Sequence, residues 1–407
     1  MSASQATMER QLATRESYRI DTVFVVLTLA ILLLGLVMVG SASVSMAAHE
    51  AGGNAFSYLE RQLGLTLAGL TLAAIVARIP TEWLERMAFP LLIAAALLLV
   101  VVLIPGLGHV VNGSRRWIRL AGLNFQASEG ARVLVLVFLS SYAVRRETEL
   151  RSSFMGLMRP LFLLLGFAGL LLLEPDFGAA TVLVATGFGL LFLAGAQLRW
   201  VAALACGLLA LGSMAVLFAE YRLKRLMTFL DPWADPFNSG FQLTQSLIAI
   251  GRGDWFGVGL GSSVQKLFYL PEAHTDFLFA VLAEELGLAG VLLTIGLFLA
   301  LVWRVFHISR LASDAGLKFQ SYLAAAFGLW LGIQACINMG VNMGALPTKG
   351  LTLPLMSYGR SSLIVTIAWM GIVLRVYHEA TGETRGVAAA VRRRAAAGIT
   401  GPGEADE

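Results

Sequence analysis

The chain has 407 residues, of which 57% are hydrophobic and 14% are charged, and its formal net charge at pH 7 is +4. Soluble domains carry roughly 25% charged residues, so this composition excludes an ordinary soluble protein and indicates one that crosses a membrane several times. The basic residues lie in short segments between apolar runs, which favours anionic lipid over nucleic acid as their partner. Cys206 and Cys336 lie inside apolar runs, where neither a disulfide nor a metal site is expected.

Ten apolar runs have the character of membrane-spanning helices, because about 20 apolar residues cross a bilayer as a helix. Glu174-Pro175-Asp176 separates the fifth run from the sixth, and we interpret it as a tight turn; the alternative is one broken pair of helices around a cavity. The fold expected is an all-α polytopic membrane protein with about ten transmembrane helices. The runs cover residues 22–45, 63–79, 88–105, 128–144, 160–173, 178–195, 200–219, 276–303, 319–343 and 355–374.

The positions of lysine and arginine predict the orientation of these helices, since cytoplasmic loops carry an excess of both. When the N-terminus is placed in the cytoplasm, most of the 30 basic residues fall in inner segments, and both termini are cytoplasmic. The predicted organisation is a cytoplasmic segment 1–21, a transmembrane domain 22–379 and a disordered cytoplasmic tail 380–407. The connection between the seventh and eighth helices, residues 220–275, becomes a large extracytoplasmic loop.

This outer loop is too long for a plain connector, so we expect it to pack on the bundle. Phe241, Thr244, Leu247 and Ile248 form a helix-like apolar stripe within it, which predicts an interfacial or re-entrant helix.

Several cations remain in the predicted outer segments, against the general rule. Each one alone could be a solvated surface residue or, at a helix end, a side chain that reaches back to the interface. Together they indicate an anionic ligand held at the outer face. They are Arg115, Arg116, Arg119, Arg222, Lys224, Arg225, Arg252, Lys266, Lys349 and Arg360.

Three titratable residues, Glu272, His274 and Asp276, lie within five positions where the outer loop meets the eighth run. Thr275 can cap this helix, which places Asp276 in its first turn. A carboxylate there could simply complement the helix dipole, but one cap does not need three titratable groups. We therefore regard Asp276 as a candidate catalytic base, with Glu272 and His274 as neighbours that bind substrate or support the base.

Other charged residues lie next to or within apolar runs. Lys349 stands between two runs, where it either extends to the interface or neutralises a phosphate or pyrophosphate. Glu129 and Arg132 are spaced i,i+3 on one helix face and are interpreted as an internal ion pair. Glu284 and Glu285 are expected to have helix-packing roles.

Five motifs in chain order resemble the SEDS family (shape, elongation, division and sporulation), and the resemblance extends from the first run to the last. A sixth, Leu346-Pro347-Thr348-Lys349-Gly350, resembles the division branch of the family more than the elongation branch. The five motifs are Asn112-Gly113-Ser114-Arg115-Arg116-Trp117-Ile118, Glu174-Pro175-Asp176-Phe177-Gly178, Pro271-Glu272-Ala273-His274-Thr275-Asp276-Phe277, Glu284-Glu285-Leu286-Gly287 and Ser357-Tyr358-Gly359.

This resemblance implies an inverting glycosyltransferase that polymerises lipid II on the outer face of the bacterial cytoplasmic membrane, at the division septum. The family's essential aspartate corresponds to Asp276. Arg115, Arg116, Lys349 and Arg225 are then candidates for the pyrophosphate of the leaving lipid. Implied partners are a class B penicillin-binding transpeptidase and the division regulators FtsQ, FtsL and FtsB. No cofactor is identified; a divalent cation could share the pyrophosphate charge, although the sequence offers no dedicated ligand set.

The chain departs from the family pattern in two motifs. Gln126-Ala127-Ser128-Glu129 has alanine where the family has proline, which leaves the local turn open, and Arg132 replaces a lysine. Arg360 replaces the second glycine of Ser-Tyr-Gly-Gly, where it either adds an outer-face cation or alters the start of the last helix.

Two other functions fit parts of the sequence. A lipid II flippase would also have about ten spans and buried carboxylates, but its charges should follow the whole path rather than gather at the outer side. A scaffold that only recruits the transpeptidase is the third alternative, and it would not need Asp276.

Overall fold

The computed structural model describes residues 19–50, 54–111, 114–120, 123–218 and 220–396. Within these ranges the chain forms long apolar helices and a small antiparallel sheet. In chain order the elements are α1 (Thr22–Glu50), α2 (Ser57–Val76), α3 (Thr81–Arg86), α4 (Ala88–Leu103), β1 (Gly108–Val111), β2 (Ser114–Leu120), β3 (Leu123–Gln126), α5 (Ala127–Arg145), α6 (Glu147–Ser152), α7 (Phe154–Leu173), α8 (Phe177–Leu193), α9 (Leu198–Leu217), α10 (Glu220–Leu230), α11 (Phe241–Gly253), α12 (Leu278–Asp314), α13 (Lys318–Asn342) and α14 (Arg360–Ala396).

Each of the ten predicted apolar runs coincides with a helix. Seven helices are long and apolar enough to cross a membrane, namely α1, α2, α5, α7, α12, α13 and the Arg360–Gly382 part of α14. The shorter apolar helices α4, α8 and α9 occupy the other three runs. The all-α polytopic fold is thereby confirmed, while the number of helices that cross the bilayer stays a prediction.

The turn between the fifth and sixth runs is tight, as the sequence indicated. Helix α7 ends at Leu173 and α8 begins at Phe177. Asp176 is the N-cap of α8, because its Oδ1 accepts a hydrogen bond from the backbone N–H of Ala179 at 3.0 Å. This turn also directs Glu174 and Asp176 toward the same region of the bundle as the sheet.

The sheet was not predicted from the sequence. Its strand order is β1-β2-β3, and both neighbouring pairs are antiparallel. Ser361, at the start of α14, fastens the sheet: its Oγ accepts from Gln126 N at 2.8 Å and donates to the carbonyl of Asn124 at 3.1 Å. The arginine-rich segment is therefore strand β2 of a sheet that is bonded to α14.

The loop after α9 contains the expected helix. Helix α11 covers the predicted apolar stripe and packs on α12 and α13. Ser246 donates to the carbonyl of Asn342 at 2.8 Å, and a Cβ at Gly253 would lie 1.9 Å from the carbonyl oxygen of Ala283. This backbone-to-backbone approach leaves room only for glycine.

Helix α12 is broken near its start, at Gly287 (φ +64°, ψ −163°). The backbone groups freed by the break pair with the outer loop. Leu288 N donates to the carbonyl of Asp254 at 2.9 Å, and Val258 N donates to the carbonyl of Glu284 at 3.0 Å. The segment above the break, Leu278 to Glu285, is completely buried.

Two sets of contacts define the ends of the bundle. At one end, Arg304 donates to Oδ1 of Asp21 at 3.1 Å and to Oδ2 at 2.6 and 2.9 Å, and Thr81 donates to Glu379. At the other end lie the sheet, α11, the loop 254–277 and the segment 343–359. We name the latter the outer end, following the predicted orientation.

The last helix continues beyond its predicted end. Helix α14 reaches Ala396, whereas the sequence predicts a disordered tail from residue 380. Alanine and arginine, which dominate residues 385–396, are both strong helix formers. Residues 397–407 and 1–18 lie outside the described part of the chain, so the character of those segments stays a prediction.

Candidate active site

Asp276 lies at the outer end, in the turn that leads into α12. The carbonyl of Glu272 accepts hydrogen bonds from Thr275 N and Phe277 N, both at 3.1 Å, which closes this turn. The backbone carbonyl of Asp276 accepts from Nδ2 of Asn338 at 2.9 Å and from Nδ2 of Asn342 at 3.0 Å. Four hydrogen bonds thus fix the turn that carries the candidate base.

The carboxyl group of Asp276 faces the segment that carries Lys349. A Cβ added at Gly350 would lie 3.2 Å from Oδ2 of Asp276, so the backbone next to Lys349 passes directly beside the acid. The ammonium of Lys349 lies 3.5 Å from the centroid of the Phe177 ring, a cation–π contact. The segment that carries Lys349 therefore contacts Asp276, which lies 73 positions earlier in the sequence.

Arg116 approaches the same place from the sheet. Its Nε donates to the carbonyl of Glu174 at 3.1 Å, and its Nη2 donates to the carbonyl of Pro175. Its charge acts on the carboxyl groups of both Glu174 and Asp276. Arg116 therefore supplies a second cation next to the base.

The pKa of Asp276 is raised to about 7. Burial is the largest cause, the negative charge of Glu272 is the second, and the positive charge of Arg116 opposes both. The residue keeps part of its surface open to solvent. Near neutral pH a large fraction of such a carboxyl is deprotonated, and the carboxylate is more basic than that of an ordinary aspartate. Both properties suit a general base.

Glu272 has an unusual backbone conformation. It lies in the left-handed region, at φ +56°, which costs energy for a residue with a Cβ. Its exposed carboxylate accepts a hydrogen bond from Thr275 Oγ1 at 2.7 Å. The strained turn places this negative charge next to Asp276.

Glu174 is a further carboxyl group at the site. From the sequence it was predicted only to form part of a turn. It is completely buried, and neither carboxylate oxygen has a hydrogen-bond partner among the described residues. Burial, with a smaller contribution from the charge of Asp176, raises the pKa of Glu174 to about 8. At neutral pH this group is mainly protonated, so it does not neutralise the neighbouring Arg116.

The other predicted substrate-binding residues are not all brought together here. Arg115 and Arg116 are adjacent in a strand, so their side chains point to opposite faces, and Nη1 of Arg115 donates to the carbonyl of Leu103 at 3.0 Å. The Arg225 side chain lies outside the described part of the chain, although α10 includes its backbone. Its role and that of Arg115 stay predictions.

His274 lies in a cluster of aromatic rings beneath the turn. Its ring centroid is 5.0 Å from that of Tyr58 and 5.5 Å from that of Tyr358, and its carbonyl accepts from Tyr358 N at 3.0 Å. The guanidinium of Arg360 lies over the Tyr358 ring, 6.0 Å from its centroid. His274 thus packs against the rings that support the turn, and its role in substrate binding stays a prediction. Arg360 is a cation of the outer end.

Glu129 and Arg132 form the internal ion pair that their spacing predicts. Arg132 Nη2 donates to Glu129 Oε1 at 3.4 Å, and both side chains are buried. The turn before them forms without the family's proline: Gln126 is extended, and Ala127 takes the first helical position of α5. Proline is favoured at that position but not required.

Glu284 and Glu285 hold the outer loop instead of packing only helices together. Glu284 accepts from the backbone N–H of Val264 at 3.1 Å. Glu285 accepts from Lys266 Nζ at 2.8 Å and from Ser41 Oγ at 2.7 Å, so α1, α12 and the loop meet at this group. A cation predicted for an outer anionic ligand, Lys266, is therefore buried in an ion pair.

Within the described ranges, no group of three or more histidine, cysteine, aspartate or glutamate side chains is arranged to hold a metal ion. The residues near Asp276 combine carboxyl groups with cations, a set that suits a negatively charged substrate and a proton acceptor.

A sequence model of the FtsW/RodA/SpoVE family, described as cell cycle protein, matches residues 21–382. The chain belongs to this family. A relative from Thioalkalivibrio sulfidiphilus, named "Probable peptidoglycan glycosyltransferase FtsW", is 54% identical over 378 residues, which cover 92% of this chain and 94% of the relative. A relative of the same name from Methylococcus capsulatus is 52% identical over 370 residues, covering 91% of this chain and 92% of the relative.

Solved structures are similar to the chain as well. The rod shape determining protein RodA of Thermus thermophilus has a TM-score of 0.65 and 32% identity, with 88% of this chain and 96% of that chain covered. A chain of a peptidoglycan synthase complex that coordinates polymerization and crosslinking has a TM-score of 0.73 and 34% identity, with 89% of this chain and 99% of that chain covered. Asp276, Lys349 and Arg116 therefore lie in a fold of the FtsW/RodA/SpoVE family.

Proposed function

We propose that the chain is a peptidoglycan glycosyltransferase that polymerises lipid II into glycan strands on the outer face of the bacterial cytoplasmic membrane, during septal wall synthesis. The observation that carries this proposal is a carboxyl at the outer end of a membrane bundle, with a pKa of about 7, that is subject to the charge of Arg116 and touches the segment that carries Lys349. The names of the relatives support the reaction class.

The proposed step is an inverting glycosyl transfer. A sugar hydroxyl of the acceptor attacks the anomeric carbon of the donor, and the bond from that carbon to the lipid pyrophosphate breaks. Asp276 takes the hydroxyl proton, while Lys349 and Arg116 stabilise the negative charge that develops on the leaving pyrophosphate. The negative charge of Glu272 raises the pKa of Asp276 and so makes it a stronger base. A divalent cation that shares the pyrophosphate charge remains a secondary proposal.

The partners follow from the same proposal. A class B penicillin-binding transpeptidase would cross-link the strands, which accords with the similarity to a synthase complex of polymerization and crosslinking. FtsQ, FtsL and FtsB are the proposed regulators at the septum.

The test is polymerisation of lipid II by the purified protein in complex with its class B transpeptidase, with glycan length measured on a gel. Sealed vesicles with fluorescent lipid II provide the second measurement. We expect polymer in the first assay. Lipid transfer across the vesicle without any polymer would replace the proposal with a flippase, and the absence of both activities would favour a scaffold.

The pH profile of polymerisation tests the electrostatic contribution of Glu272. The rate should rise with pH as Asp276 deprotonates, with a midpoint near pH 7 in the parent. Glu272→Gln removes a charge that raises the pKa of Asp276, so the midpoint should move to lower pH while the rate at high pH stays close to that of the parent.

Glu60→Gln is the matched control, because Glu60 is an exposed acid at the start of α2, which begins at the outer end. It should leave the midpoint in place. A midpoint that stays constant or rises in Glu272→Gln would contradict the assignment of this pKa to Asp276.

A further inference from the structure

Three buried amide side chains lie on one face of α13. Gln334, Asn338 and Asn342 are four residues apart, a spacing that stacks side chains along a helix, and none is more than 2% exposed. We call them the amide ladder. A buried amide needs hydrogen-bond partners, so the partners of these three side chains indicate what the ladder does.

The upper amide belongs to the turn that carries the base. Asn342 Nδ2 donates to the carbonyl of Asp276 at 3.0 Å, and its Oδ1 accepts from Ala280 N at 3.1 Å. One side chain therefore binds the turn and the first residues of α12 at once.

The middle amide joins two segments of the site. Asn338 Nδ2 donates to the carbonyl of Asp276 at 2.9 Å and to the carbonyl of Leu351 at 2.6 Å. Leu351 follows Lys349 by two residues. The two hydrogens of a single NH₂ group thus hold the backbone of the base and the backbone next to the cation.

The lower amide continues this arrangement into the membrane. Gln334 Nε2 donates to the carbonyl of Thr352 at 3.1 Å, and its Oε1 accepts from Arg132 Nη1 at 2.7 Å. Because Arg132 also pairs with Glu129, the ladder connects the internal ion pair on α5 to the segment after Lys349.

We propose that the amide ladder positions Asp276 relative to Lys349, so that the base and the cation act on the same sugar–pyrophosphate linkage. The residues of the ladder are positioning residues, since they contact backbone and not substrate. This inference rests on the proposed transferase function. A displacement of about 1 Å can cost roughly 100-fold in rate, so a clamp of this kind should act on kcat.

Asn338→Leu tests the inference, because leucine has the same branching and number of side-chain heavy atoms as asparagine and donates no hydrogen bond. In the lipid II assay we expect kcat to fall roughly 10- to 100-fold with little change in KM. A looser turn exposes the Asp276 carboxyl to water, so the midpoint of the pH profile should also move to lower pH. Gln334→Glu is a milder second variant: it keeps an acceptor for Arg132 and loses the donor to Thr352, and its kcat should fall less.

Gln320→Leu is the matched control on the same helix. Gln320 is a buried amide at the opposite end of α13, where it donates to Thr81 Oγ1 at 2.9 Å. It should lower the Tm at least as much as Asn338→Leu without changing kcat or the pH midpoint.

Two outcomes would overturn the inference. Asn338→Leu could lower the Tm while kcat and the pH midpoint stay at the parent values, or Gln320→Leu could reduce kcat as strongly as Asn338→Leu. Asp276→Asn in the same assay separates this failure from that of the proposed function. If Asp276→Asn is inactive and Asn338→Leu is not, only the ladder is wrong; if Asp276→Asn polymerises normally, the assignment of the base itself fails.

Discussion

Asp276→Asn should reduce polymerisation of lipid II by about 10²- to 10⁴-fold, the usual contribution of a general base. Asparagine keeps the shape of the side chain, and the backbone carbonyl of residue 276 can still accept from Asn338 and Asn342. The loss should therefore appear in kcat, without loss of the folded protein. Glycan formation by the complex with the transpeptidase is the measurement.

Asp254→Asn is the control for this change. Asp254 is an exposed aspartate of the same outer loop, with φ +46°, and asparagine tolerates the left-handed region well. Its polymerisation rate should equal that of the parent. Equal rates for the parent and Asp276→Asn would remove Asp276 from the mechanism.

Asp276→Asn should also change the dependence of folding stability on pH. The pKa of Asp276 is about 7 in the folded protein and about 4 in an unfolded chain, so the folded state binds the proton more tightly. The contribution of Asp276 to the free energy of unfolding is therefore greatest below pH 4 and is lost as the pH rises to 7. Asp276→Asn should have a higher Tm than the parent at pH 8 and a similar Tm at pH 4.

Lys349→Met should reduce kcat by roughly 10²- to 10³-fold, the range for removal of one preorganised group that stabilises charge in a transition state. Methionine keeps an apolar stem and removes the ammonium, which lies over the Phe177 ring. Because the leaving pyrophosphate gains charge as its bond to the sugar breaks, kcat should fall more than the affinity for lipid II. Lys349→Arg should recover part of the rate.

Lys318→Met is the matched control. Lys318 lies at the opposite end of the bundle and forms an exposed pair with Glu147, which should contribute little. A parent-like rate for Lys349→Met would contradict the assignment of Lys349 to the leaving group, whereas a low rate for Lys318→Met would indicate a general effect of charge removal.

The sequence was sufficient to place the helices, because runs of about 20 apolar residues have few other solutions in a membrane. It also placed the Glu129–Arg132 pair, whose partners are local. The sheet was missed because its strands have only four to seven residues and mix polar with apolar side chains without a sustained alternation. Glu174 and the amide ladder were missed because their roles depend on contacts between distant segments, as in the bond from Asn338 to Leu351.

The candidate site shows the same division. Asp276 and Lys349 could be selected as unusual charges near apolar runs, but nothing local distinguishes Arg116 from Arg115. The strand separates them, since adjacent side chains in β2 point to opposite faces. Only the pairing of that strand decides which arginine meets the base.

The break at Gly287 has a mechanical consequence for the base. The backbone N–H of Leu288 donates to the carbonyl of Asp254, and the carbonyl of Glu284 accepts from Val258 N, so both parts of α12 are bonded to the loop. The upper part, Leu278 to Glu285, is completely buried. A change in the tilt of the lower part, as a bilayer of different thickness would impose, would therefore act on the loop through these bonds, whereas the carbonyl of Asp276 is held by Asn338 and Asn342 of α13.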